Sequence, residues 1–325
     1  MIDGMKAGFP LLGLVIFVGM TSVSWTPEEA GIRLSDPEVA DMHGTVVTPV
    51  PDRALPRGRN VLWCATLQMA WDQAASNIGR PLRLKPGSAL VDSLNANPFD
   101  RRWLDEESVF TAGGNADEDL FKQIDKNVRA KTGRKSKLLN RIRKESKPGD
   151  LLFHALLVKN LEFETPFAKL GIWMIGNRKV SWFGFTPSQE ETAPLRRQVR
   201  VHHYTSKDDF VIELLTRNPN DQLLFTKLPK PPSTSSELGN KTLGMISATS
   251  PEAGAKDLLG VPHVVAEESA EFSELSGKTV VGKPYFVRSA LQTIDFRMDE
   301  KGVKLKSESS ISFGCSVAER IEHFK

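Results

Sequence analysis

Several residue types are scarce in this chain of 325 residues, and each shortage closes off a class of chemistry. There are only two cysteines, Cys64 and Cys315, and no Cys-x-x-Cys or His-x-x-x-His spacing joins them to a metal set, so no zinc site is expected. Gly-x-Ser-x-Gly, His-Glu-x-x-His and phosphate-binding glycine loops are missing too, which ranks an uncharacterised hydrolase below every other reading. No cofactor is expected. Net charge is +3, from 43 Lys and Arg against 40 Asp and Glu, too small an excess for a polycation built around nucleic acid. No apolar run reaches the roughly 20 residues that cross a bilayer as a helix.

The remaining composition, 40% hydrophobic and 26% charged, is that of a globular chain with room for one large or two ordinary domains. Lys6 precedes an apolar run from Phe9 to Met20, and Ser22-Val23-Ser24 offers small residues to a signal peptidase. Residues 1–24 therefore read as an export signal, with Trp25 as the mature start and no transmembrane span in the mature protein. The expected location is secreted or extracytoplasmic, where a disulfide would persist. Cys64, within the apolar stretch Val61–Leu67, reads as a small buried residue. Cys315 is the better candidate for a reactive or bridging thiol.

Residues 25–59 are rich in proline, glycine and small polar residues and read as an extended entry. A helix is expected from Asn60, carrying Leu62, Leu67, Met69, Ala70 and Trp71, and Pro81–Asp100 has loop chemistry. A second, amphipathic helix is expected from Asp117 to about Lys131, with Leu120, Ile124 and Val128 on one face and Gly133 as its stop. Leu151–Val158 is a near-continuous apolar run, as in a strand buried on both faces. Further strands are expected at Ile172–Ile175, Val180–Phe185, Phe210–Leu215, Leu223–Leu228, Val261–Ala266 and Tyr285–Met298. Helices gather in the first half and strands in the second, which is an α+β arrangement.

Two local features bear on function. Lys122–Lys147 holds 11 Lys or Arg against 2 acidic residues. Lys122, Lys126, Arg129, Lys131, Arg134 and Lys135 are candidates for binding an anion, either a polysaccharide or an envelope surface, and the alternative is a solvated helix face and linker. His154 lies in an apolar strand and reads as a satisfied core residue, while His202 and His203, being adjacent, would face opposite sides of a strand. The second feature is Ser289–Phe313, where alternating apolar residues break at Asp299-Glu300-Lys301-Gly302 and resume. That is the pattern of a hairpin with an acidic, glycine-closed turn.

The order of several islands resembles the serpin family. Ile124–Lys135 is similar to the end of a serpin helix, whose pattern is Ile-Asn, then Trp-Val, then Lys-Thr, Gly and Lys, and Ala155–Phe167 is similar to the strand that follows it and closes with Pro-Phe. Phe210–Pro229 resembles the hairpin ending in Leu-Pro, and Val261-Pro262-His263 resembles Val-Pro-Lys. Asp299-Glu300-Lys301-Gly302 resembles the hinge of the reactive loop. The similarity covers most of Asn60–Ser316, within a single serpin-like domain at residues 60–325. It implies large, mainly antiparallel sheets, with helices mostly from the N-terminal half and a sheet able to accept its own loop.

The resemblance also implies two functions. In an inhibitor, the loop would comprise Val303, Leu305, Ser307, Ser309, Cys315, Ser316 and Val317, with a bait bond near Ser316-Val317 presented to an elastase- or subtilisin-like extracytoplasmic serine protease. Against this stand Lys304, Lys306 and Glu308, long charged side chains that slow insertion between strands. Cys64-Ala65 also replaces the family's Ser-Pro, and the chain stops at Lys325, before the family's last buried strands, as in a rebuilt or truncated core. The preferred reading is a non-inhibitory binding or scaffold protein, not an enzyme, that acts by protein contact.

Overall fold

The computed structural model describes residues 44–316 except 101–103, 176–177 and 188–191, together with 13–14 and 40–41. Apart from residues 13–14, the expected export signal lies outside this set, as do Trp25 and Val317. A large sheet organises the molecule. Its five long strands lie in the order β9 (Val264–Glu271), β10 (Tyr285–Asp299), β11 (Gly302–Cys315), β2 (Leu151–Glu162) and β1 (Val109–Asn115), every pair antiparallel. Two smaller sheets flank it. One joins β8 (Leu259–Pro262), β4 (Arg178–Phe185) and β3 (Ala168–Ile175), and the other includes β5 (Val199–Ser206), β6 (Asp209–Leu214) and β7 (Gln222–Lys227). Four of the six helices among the described residues precede Leu151: α1 (Thr66–Ile78), α2 (Ala89–Ala96), α3 (Glu118–Thr132) and α4 (Lys137–Glu145). Only α5 (Ala193–Arg197) and α6 (Ser235–Gly244) come later. The α+β segregation expected from sequence is what forms.

Strand β2 shows why the large sheet needs cover on both faces. Leu151, Phe153, Ala155 and Leu157 enter a core shared with α1, while Leu152 and Leu156 enter a second core beneath α3 and α4. A near-continuous apolar run is what two covered faces require. Helix α3 follows the sequence signals closely. The Asp117 side chain accepts a hydrogen bond from Leu120 N at 3.0 Å, Ile124 and Val128 are fully buried, and Gly133 ends the helix in the left-handed region at φ 69°.

Five local expectations need correcting. The first helix begins at Thr66, because Val61–Leu62 is a two-residue strand paired in parallel with Val46–Val47. That pairing, with Val47, Thr48 and Val50 buried, also ties residues 46–50 of the presumed extended entry to the core. Pro81–Asp100 is not all loop, since Ser88 caps α2 and buries Leu90, Val91 and Leu94. The basic linker contains α4, capped by Ser136, whose hydroxyl accepts from Leu139 N at 2.9 Å. Finally, β2 runs past Val158 to Glu162, and Lys159 within it is buried against Asp105 and Asp221, the latter at 2.7 Å.

Candidate functional site

The Asp299–Gly302 segment closes a tight hairpin between β10 and β11, with Asp299 opposite Gly302 in register. Asp299 Oδ1 accepts from Lys301 N at 2.8 Å. The turn is held on all sides: Phe167 N donates to Glu300 O, Phe163 N donates to Lys301 O, and the Glu300 carboxylate lies 3.3 Å from Lys169 Nζ and 3.4 Å from His263 Nε2. Burial, opposed by the Glu300 charge, lowers the pKa of His263. At Gly302, φ is 150° and a Cβ would sit 2.0 Å from Leu161 O, so only glycine passes here.

From this turn β11 runs between two partners. Its ladder with β2 is continuous from Gly302 opposite Glu162 to Phe313 opposite Leu151. On its other edge the register with β10 holds from Asp299 to Cys315, with one irregularity near Val287. The strand's alternation sorts its side chains as the sequence implies. Val303, Leu305, Ile311 and Phe313 are buried in the core shared with α1. On that face the Thr66 hydroxyl lies 2.7 Å from Ser307 Oγ and 2.8 Å from Ser309 Oγ, and Gln292 Nε2 donates to Thr66 Oγ1 at 2.8 Å. On the opposite face Ser136 donates to Glu308, which also lies 3.3 Å from Lys306 Nζ. There, His154 Nδ1 is 2.8 Å from Ser310 Oγ, and Ser289 meets Ser312 at 2.7 Å.

The structure thus brings Val303, Leu305, Ser307 and Ser309 together in the middle of a sheet. It does not place them on an exposed loop. Cys315 is half-buried beside Gly149, its N–H donating to Asp150, and the exposed Ser316 bonds to Pro284 O. Both cysteines are free. The carbonyl of Cys64 is 3.1 Å from Gln292 Nε2, beneath Ser307, eight residues along β11 from Cys315. At about 3.3 Å per residue that is roughly 26 Å, several times the span of a disulfide. Burial raises the Cys64 thiol pKa.

Sequence reasoning missed the groups that answer β11, because Thr66, Ser136, His154 and Gln292 carry no shared motif. Alternation was the available signal, since it assigned each side of the strand in advance. The two histidines at 202 and 203 do separate. His202 Nε2 lies 3.0 Å from Glu213 and its Nδ1 2.6 Å from Ser250 Oγ, whereas His203 meets Asp209 at 3.4 Å. The Ser250 hydroxyl also donates to Ser247 O at 3.0 Å, and Val201 N donates to Pro251 O, so this cluster fastens residues 247–251 along β5. Two cavities, of about 300 and 500 Å³, open elsewhere, one beside Asp105 and Lys131 and the other beside Asp72 and Arg80.

No family model and no curated protein matches the chain. Solved structures do. Reactive-loop-cleaved human thyroxine-binding globulin is 11% identical over 77% of this chain and 89% of its own, with a TM-score of 0.47. The viral serpin CrmA is 10% identical over 76% of this chain and 99% of its own, at TM-score 0.45. Emu ovalbumin is 11% identical over 61% of this chain, at TM-score 0.40, and the chain spans 55% of its length. The described fold is a mixed α and β molecule around one large antiparallel sheet.

Proposed function

We propose that this is an exported, non-inhibitory scaffold that acts through contact with another protein. One observation carries the reading. The segment that would have to be a free reactive loop is a central strand, hydrogen-bonded along both edges and pinned on both faces by Thr66, Gln292, Ser136 and His154. An inhibitor of this kind needs an uninserted loop whose later entry into the sheet releases free energy. With β11 already in place, no such reserve is left. Lys304 and Lys306 fit this state, because alternation turns them away from the α1 core.

The test is to incubate the protein with elastase- and subtilisin-like proteases and resolve the products under denaturing conditions. The expected result is slow trimming with no covalent complex and no gain in melting temperature. A complex stable in detergent, or a large rise in melting temperature after a cut near Ser316, would overturn the reading in favour of inhibition. A hydrolase has one observation behind it, the Ser250–His202–Glu213 chain of contacts. A fluorophosphonate probe that labelled Ser250 would promote that alternative.

A further inference from the structure

Lys122–Lys147 contains 11 Lys or Arg and 2 acidic residues, a local charge of +9 in a chain of net +3, which leaves the other 299 residues at −6. The fold turns this asymmetry into a layer. Helices α3 and α4 lie side by side on one face of the large sheet and share one core: Leu120, Ile124 and Val128 from α3, and Leu138, Leu139 and Ile142 from α4. Arg143 binds Asp125 at 3.0 Å and so ties one helix to the other. At 100° per residue, Lys122, Lys126 and Arg129 stand roughly 140–200° round α3 from Ile124. Lys137 and Lys144 hold the equivalent outward position on α4, and Arg134 and Lys135 occupy the connection between the helices.

Some of these cations are spent within the fold. Lys131 donates to Glu107 O, Lys122 is 4.0 Å from Asp119, and Arg141 binds Glu145 and Glu271. Lys126, Arg129, Arg134, Lys135, Lys137 and Lys144 are exposed and form no ion pair with any described residue. Six unspent cations on one helical layer, on a molecule otherwise net negative, form a surface with a defined orientation.

We propose that the outer face of α3 and α4 docks this protein on an anionic lipid bilayer. The partner follows from what the layer offers and withholds. Phe121 is the one aromatic residue on either helix, and it is buried, so nothing is presented for stacking against bases. The apolar side of each helix is consumed by the sheet, so contact is electrostatic and superficial. The charges spread over two adjacent helices and their connection with neither described cavity between them, which fits a planar array of headgroups better than a single polymer strand. Each cation held near an anionic membrane contributes about 1 kcal/mol, or roughly fivefold in partitioning.

Co-sedimentation of the full chain with vesicles tests this. Binding is expected to vesicles of phosphatidylcholine and phosphatidylglycerol mixed two to one, to be absent with phosphatidylcholine alone, and to fall as salt rises. Lys126→Ala with Lys137→Ala should cut partitioning roughly 25-fold, while Lys126→Arg with Lys137→Arg should retain it. Both positions are exposed, and unchanged melting temperatures would show that the variants stay folded. Failure to bind anionic vesicles, or binding that the alanine pair leaves unchanged, overturns the proposal. Capture by an immobilised sulfated polysaccharide without vesicle binding also overturns it, in favour of a linear polyanion. None of these outcomes depends on whether the protein inhibits proteases.

Discussion

Serines in the middle of a central strand are costly unless each hydroxyl is answered, and in β11 the answer on the α1 face is Thr66, with Gln292 Nε2 a longer 3.3 Å from Ser307. Thr66→Val removes the oxygen that meets both Ser307 and Ser309 and accepts from Gln292. Leaving buried hydroxyls unpaired costs about 1–3 kcal/mol, so urea denaturation should show a loss of that order. Adding Ser307→Ala and Ser309→Ala to the same chain should recover part of it, since no orphaned hydroxyl then remains. His154 behaves differently. It reads from sequence as a satisfied core residue, but only Nδ1 has a partner; Nε2 has no hydrogen bond and faces Glu308 at 3.9 Å. Complete burial lowers its pKa to about 4, against a smaller upward pull from Glu308.

The unfolded chain then takes up a proton near pH 6.5 that the folded chain refuses until about pH 4. Stability owed to neutral His154 is complete above about pH 6.5, declines as pH falls towards 4, and changes no further below that. The full loss is about 3 kcal/mol. The difference in unfolding free energy between the wild type and His154→Gln, measured from pH 7 to 4, should trace that decline. A difference that stays constant with pH would refute the assignment. His263 is lowered in the same direction and is common to both chains, so it cancels.

Among elements, the β10–β11 hairpin is the most constrained. Gly302→Ala would force a side chain into a positive-φ position with Leu161 O in its path, and a loss of about 2–4 kcal/mol is expected in thermal or urea unfolding. Lys301→Ala, at the exposed corner of the same turn, should change stability by less than about 0.5 kcal/mol. This hairpin was legible in advance because alternation and a glycine-closed turn are both local signals. Most other strands were legible too, since bulky apolar runs reveal burial without revealing a partner. The short helices were not. In α4 only Leu138, Leu139 and Ile142 are apolar, and basic residues surround them, so the segment reads as solvated until a sheet face supplies the missing cover. Strand β1, Val109–Asn115, hides for a related reason. Gly113 packs against the Phe153 ring, where even a Cβ would clash, and glycine lowers strand propensity just where the fold needs a close approach.

At the scale of the whole molecule, the two cores are separated by one sheet and joined through it. Adjacent residues of β2 belong to different cores, Leu152 to one and Phe153 to the other, and β11 likewise meets α1 with Ser307 and the α4 cap with Glu308. A sheet whose middle strands serve both cores cannot lose one helical layer and keep the other side intact, because exposing Leu152, Leu156 and His154 unseats the strands that carry Phe153 and Ala155. Unfolding should therefore be a single cooperative event for residues 60–316. Ile124→Ala, at a fully buried position in α3, tests this: it should cost about 2–5 kcal/mol. The melting temperature should fall as one transition, and amide exchange should accelerate in β11 and α1 as much as in α3. A second, earlier transition confined to α3 and α4 would show instead that the basic layer is a detachable lid, and that the sheet beneath it is stable alone.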